Sequence, residues 1–157
     1  DYSMNHGKEA AELFCSGYNC AQAVTVAFCD VTGLTKDQAA RLSSGFGGGL
    51  GRQREVCGAV SGMVLVLDLL YGYSEPGNDH LKADHYKTVQ ALCGAFRQRA
   101  GSIICREILG NPPSDPNPTP RTPEFYKTRP CARMVALAAE ILEEYILQQE
   151  GGHADTH

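Results

Sequence analysis

An all-α fold is predicted for this 157-residue chain, as a single-domain bundle of about six or seven helices around a central apolar helix. Three observations carry that prediction. Apolar residues recur at helical spacing in nearly every segment, and no alternating run suggests a strand. Cap residues and terminal glycines bracket those segments. Residues 55–71 are hydrophobic nearly all round, as suits a helix buried at the middle of a bundle.

The first helix is expected from residue 5 to 15, with Ala10, Ala11, Leu13 and Phe14 as its stripe and a stop at Ser16-Gly17. Asn19 is a good cap for a second helix over 20–31, closed by Gly33. Thr35 and Gln38 form a capping box for a short helix to about residue 44. Five glycines in the seven residues 45–51 then break regular structure and require positive φ or close backbone approach.

After the central helix, Asn78 or Asp79 caps a long helix to about Arg99, with Leu81, Val89, Leu92, Cys93 and Phe96 turned inward. Ser102 caps a short helix over 103–109. Residues 111–123 hold six prolines and read as an extended surface loop. Pro130 suits the first turn of the last helix, which should run to about Gln149. One helical domain over residues 1–150 follows, with 151–157 a disordered tail.

Composition narrows the function. The balance of 14 basic and 18 acidic side chains gives a net charge of −4 and, with no basic cluster, excludes a nucleic-acid binder. No apolar run reaches the roughly 18 residues of a membrane span. The chain opens without a basic segment followed by an apolar one, so no signal peptide is expected. Seven cysteines cannot all pair within one chain, and a domain of this size needs no staples. A reducing cytoplasm fits this usage better than secretion.

The cysteines fall into two groups. Cys20 follows its cap directly, Cys57 follows the glycine-rich loop, Cys105 lies just after Ser102, and Cys131 follows Pro130. All four stand where helices are expected to begin. A helix start carries partial positive charge and free N–H groups, which favour a thiolate, and the thiolate is both nucleophile and metal ligand. Cys20, Cys57, Cys105 and Cys131 are therefore read as one redox or metal site. Cys15, Cys29 and Cys93 lie near the ends or middles of apolar patterns and are expected to pack as small hydrophobes.

No C-x-x-C occurs, so zinc-ribbon and thioredoxin-like motifs are unsupported; without C-x-x-C-H, covalent haem attachment is excluded. The glycine-rich loop lacks a P-loop pattern. Gly47, Gly48, Gly49 and Gly58 are instead expected to bring backbone close to a cofactor, with N–H groups offered to sulfur. Gly58 and Gly62, one turn apart, suit close helix approach. His80 and His85 read as surface residues and Glu143 and Glu144 as a solvated face. No Ser-His-Asp or paired-carboxylate constellation is expected.

The stretches LFCSGYNCAQAV, SGFGGGLGRQREVCGAVSG and GSIICREILG, followed by a lone cysteine opening the last helix, resemble the redox-active C_GCAxxG_C_C family. Its central motif corresponds to Cys57-Gly58-Ala59-Val60-Ser61-Gly62, and its four signature cysteines fall on Cys20, Cys57, Cys105 and Cys131. The resemblance covers roughly residues 8–145 and implies a small bacterial or archaeal redox protein with no established substrate. Related modules occur fused to haem-binding segments, which this chain lacks.

The leading expectation is a redox or electron-transfer protein with an iron–sulfur cluster, 2Fe-2S or 4Fe-4S, since four thiolates are the usual complement for either. The alternatives are a thiol–disulfide oxidoreductase using the same cysteines and a non-redox module with structural zinc. A redox partner protein, of no stated identity, is implied by the leading reading, and a homodimer is expected for a small electron carrier.

Overall fold

The computed structural model describes residues 5–155, with side chains placed through residue 151. Its order is α1 (His6–Cys15), α2 (Cys20–Ala27), α3 (Cys29–Thr32), α4 (Lys36–Ser43), a 3-10 turn (Ser44–Phe46), α5 (Gly47–Leu50), α6 (Gly58–Tyr71), α7 (Asp79–Ala100), α8 (Cys105–Leu109), α9 (Pro123–Thr128) and α10 (Cys131–Asp155). Six of these helices have eight residues or more, and no strand occurs among the described residues, so the fold is all-α. Thr156 and His157 of the expected tail lie outside the described residues.

The core has two central helices where one was expected. α6 buries Ala59, Val60, Met63, Val66 and Leu67, and α10 buries Val135, Ala138, Ala139, Leu142 and Ile146. α10 packs on α1, α2, α6 and α7. It also runs past the expected end near Gln149, to Asp155.

α6 begins at Gly58 rather than Glu55. The Cys57 N–H donates to the Ile103 carbonyl at 2.7 Å and the Cys105 N–H to the Glu55 carbonyl at 2.6 Å, around an isolated antiparallel bridge between Val56 and Ile104. Extended backbone bonded to a distant segment cannot join the helical ladder. For the same reason α8 starts at Cys105, not Ile103. Ser102 is therefore not its cap: Ile104 holds the N-cap position without a side-chain cap bond, and the Ser102 Oγ accepts from the Ile104 N–H at 2.9 Å, ahead of the helix.

α2 meets α6 at very short range because two α6 residues lack a Cβ. A Cβ on Gly62 would lie 2.7 Å from the Ala21 carbonyl oxygen, and one on Gly58 would lie 2.9 Å from the Phe46 carbonyl oxygen and 3.2 Å from Cys20 Cβ. On its other side α2 holds α4 through a buried hydroxyl pair, Thr25 to Ser43 at 2.7 Å, and through Gln22 Nε2 donating to the Ala40 carbonyl.

Several expectations are corrected. α7 turns only Leu92 and Phe96 fully inward; Leu81, near its start, is 44% exposed, because the first half of the helix leaves the bundle. The proline-rich stretch gives way to a short helix, α9, with Thr122 as its cap and Pro123 in its first turn. Cys15 is exposed, while Cys29 and Cys93 are half-buried.

His85 is not a free surface group: its Nε2 lies 2.6 Å from Asp68, and its ring meets Tyr73 edge-on. Glu143 turns inward rather than facing solvent. Its Oε1 lies 2.6 Å from His6 Nδ1, while His6 Nε2 lies 3.0 Å from Asp30, and the buried imidazole stacks on Phe28 at 4.1 Å. Through its two ring nitrogens His6 ties α1 to Asp30 of α3 and Glu143 of α10.

Gly62→Ala should cost about 1–3 kcal/mol of stability, the usual penalty for overpacking, because backbone rather than a movable side chain blocks the new methyl. Gly94→Ala, in α7 with nothing within 4 Å of the added Cβ, should instead gain up to about 1 kcal/mol from helix propensity. Urea unfolding of the two variants checks both signs.

Candidate functional site

Each of the four signature cysteines stands at a helix start, held there by its own local device. Asn19 and Gln22 complete a capping box around α2, the Asn19 side chain accepting from the Gln22 N–H and Gln22 from the Asn19 N–H, which makes Cys20 the first helical residue. Cys131 opens α10 directly after Pro130. Cys105 opens α8. Cys57 occupies the N-cap position of α6, with no side-chain cap hydrogen bond, and the Ala59 and Val60 amides at the helix start favour its thiolate.

All four cysteines line one small cavity, together with Gly48, Gly58 and the Arg54 side chain. They divide two and two by exposure. The Val56–Ile104 bridge joins the segments that carry Cys57 and Cys105, with Cys57 opposite Ile103 and Cys105 opposite Glu55, and both cysteines are buried, each 6% exposed. On the other side, the Cys20 S–H bears on the Cys131 sulfur. This second pair also lines a wider cleft that opens to solvent. Among the described residues, no three Cys, His, Asp or Glu side chains gather closely enough to hold a single metal ion.

The thiols differ in acidity. The Cys131 thiol is lowered to about 7, chiefly because Cys20 donates to its sulfur, with Arg129, Arg121 and Arg54 adding positive potential. Cys20, the proton holder of that pair, is raised well above the ordinary thiol value by the same bond and by burial. Burial pushes Cys57 up to about 11, against the opposing pull of the two amides. Arg54 Nη1 donates to the Cys105 sulfur at 3.6 Å.

The glycine-rich loop serves this site through its conformation. Gly48, Gly49, Leu50, Gly51, Arg52 and Arg54 all have φ between 63° and 75°, so six of the seven residues from 48 to 54 are left-handed. For the three that are not glycine, such a backbone costs about 1–3 kcal/mol each and persists only where surroundings impose it. Gly48 has no Cβ to meet Arg52 Cγ, which would lie 2.8 Å away, and so lets the Arg52 and Arg54 side chains pass. Gly47 clears the Asn19 side chain and Gly49 the backbone of Arg54 and Glu55.

Of the four expected glycines, Gly48 and Gly58 line the cavity, and Gly47 lines the wider cleft. The Ala59 and Val60 amides, at the helix start, pull the Cys57 thiol down against the effect of burial. Arg54 escaped the sequence reading. An arginine beside five glycines carries no signal until the loop's handedness shows where it points.

In metal-free, reduced protein, Cys131 should alkylate with iodoacetamide at a rate that rises through pH about 7 and levels above it. A lowered thiol value means the reactive thiolate forms earlier with rising pH. Cys57 should stay unmodified until near pH 11. Residue-resolved mass spectrometry across the pH series checks both.

Neither the curated proteins nor the solved structures contain a match to this chain. A family model does match, over residues 18–145, and its description is "Putative redox-active protein (C_GCAxxG_C_C)". The matched span includes all four cavity cysteines, from the start of α2 to the start of α10, and the chain belongs to the C_GCAxxG_C_C family of redox-active proteins.

Proposed function

We propose that this protein is an electron carrier whose Cys20, Cys57, Cys105 and Cys131 hold a 2Fe-2S cluster. The observation that carries the reading is the arrangement of four cysteines around one cavity, two of them buried and two also facing the wider cleft. In a 2Fe-2S centre each iron takes two protein ligands, so Cys20 with Cys131 would serve one iron and Cys57 with Cys105 the other. A 4Fe-4S cluster places one cysteine on each of four irons and has no use for pairing. Structural zinc needs its sulfurs about 2.3 Å from one point, and the side chains do not gather that tightly.

The residues around the pairs suit such a centre. Four thiolates bring strong negative charge into a buried site, and the buried Arg54 guanidinium, 3.6 Å from the Cys105 sulfur, offsets part of it. The Ala59 and Val60 amides would hold Cys57 as thiolate and draw electron density from its sulfur. Met134, Ile108 and Leu109 close the cavity with apolar surface, which limits water access and so sets the potential. Once bound, the cluster would supply reversible one-electron transfer.

A second reading has its own support. The Cys20–Cys131 pair faces the open cleft, and Cys131, at about 7, is about half thiolate at neutral pH. Such a pair can close a disulfide, giving up two electrons and two protons to an oxidised partner dithiol.

Protein purified without oxygen should carry about two irons and two acid-labile sulfides per chain, with visible absorption. Cys57→Ser should lose both, whereas Cys15→Ser, Cys29→Ser and Cys93→Ser keep them. Colourless protein that takes up no iron on reconstitution would sink the cluster. A loss of about two titratable thiols on mild oxidation, absent from Cys20→Ser, would then establish the disulfide pair.

A further inference from the structure

The cleft that opens from Cys20 and Cys131 has a volume of about 430 Å³ and is lined by Arg52, Arg54, Arg121 and Arg129. That is within the range of small-molecule sites. No aspartate or glutamate is among its lining residues. The arginine ion pairs among the described residues, Arg41 with Asp37 and Arg106 with Glu55, lie elsewhere. Four guanidinium groups thus share one concavity without a carboxylate to neutralise them.

Their existing contacts leave that charge available. Arg121 donates to the Phe14 and Tyr18 carbonyls at 2.9 and 3.0 Å and to the Tyr126 hydroxyl at 3.2 Å, all neutral acceptors, while its guanidinium lies over the Phe14 ring at 4.3 Å. Arg129 lies over the Phe125 ring at 5.1 Å. Arg54 gives Nε to the Pro113 carbonyl. Arg52 reaches the same carbonyl with Nη2, at 3.4 Å, but its Nε and Nη1 are buried with no partner at all.

Buried guanidinium nitrogens without acceptors are costly and rare, and a bound anion would satisfy them. Asp115 on the proline-rich stretch feels the Arg52 charge, but it forms no ion pair with it and accepts instead from the Asn117 N–H at 3.0 Å. The left-handed backbone at Arg52 and Arg54 is an independent sign, since strain of this kind collects at binding sites.

We propose that this cleft binds a small oxyanion (a phosphate, sulfate or carboxylate group) against Arg52, Arg121 and Arg129, beside the Cys20–Cys131 pair. The planar guanidinium fork matches the paired oxygens of such groups, and on Arg52 two donors, Nε and Nη1, have no protein acceptor. The inference rests on the arginines alone and stands whether or not the cysteines hold a cluster.

Titration calorimetry on the full chain tests it, with inorganic phosphate, sulfate and succinate at constant ionic strength. One saturable site per chain is expected, weakened at least tenfold by Arg52→Met and by Arg129→Met. The distant Arg41→Met should leave affinity unchanged. Arg52→Lys keeps the charge but loses the fork, and should fall between the unaltered chain and Arg52→Met. Protein with its iron present and protein freed of it by a chelator should bind equally well, which separates this inference from the cluster.

Absence of saturable binding by all three anions would overturn the proposal. So would equal weakening by Arg41→Met, which would reduce the effect to net charge, or loss of binding on removal of iron, which would move the anion to the cysteine centre.

Discussion

The close approach of α2 and α6 is the constraint on which the rest of the site depends. The missing Cβ atoms of Gly58 and Gly62 let α6 lie against the Ala21 backbone, which brings the start of α2 to the start of α6. Cys20 and Cys57 occupy those two starts. With any larger residue at either glycine the helices separate, since packed backbone does not yield as a flexible side chain does. The other two cysteines are then added by separate means. Cys105 is drawn in by its N–H bond to the Glu55 carbonyl, and Cys131 by the packing of α10 on α2 and α6.

Opposite electrostatic demands meet at this centre. Burial alone would keep every thiol protonated, as it does for Cys57. The countering elements are helix-start amides and arginines, and they act unequally. Cys131 faces the arginine-lined cleft and is the acidic member, while Cys57, deep and 6% exposed, is not. The centre therefore has a reactive side and a sheltered side, divided along the same line as its two pairs. Under the proposed cluster, the sheltered pair would give permanence and the cleft-side pair would face the partner and any bound anion.

The left-handed run from Gly48 to Arg54 links the two features. It is held at one end by Arg54 and Glu55 N–H groups donating to the Gly48 and Gly49 carbonyls at 3.1 and 3.0 Å. At the other it is held by pairing with the segment before α8. This loop turns Arg54 toward the cysteines and Arg52 toward the cleft. The stretch after α8 then lies across both arginines through the Pro113 carbonyl, so it covers the site rather than merely connecting helices.

Local chemistry was enough to read much of this from the residues themselves. Cap residues such as Asn19 and Thr35, apolar periodicity, and the glycine pair at Gly58 and Gly62 are determined within a turn or two of the chain. They identified the all-α class and the four cysteines at helix starts. Boundaries failed where distant backbone intervened: residues 55–57 lead straight into the apolar run of α6, yet the Cys57 N–H and the Glu55 carbonyl bond to residues 103 and 105. Which cysteines pair, the inward turn of Glu143 to His6, and the gathering of four arginines at one cleft were decided by tertiary structure alone. Each joins groups far apart in the chain, such as Cys20 and Cys131. Their meeting depends on how whole helices pack, which no local pattern encodes.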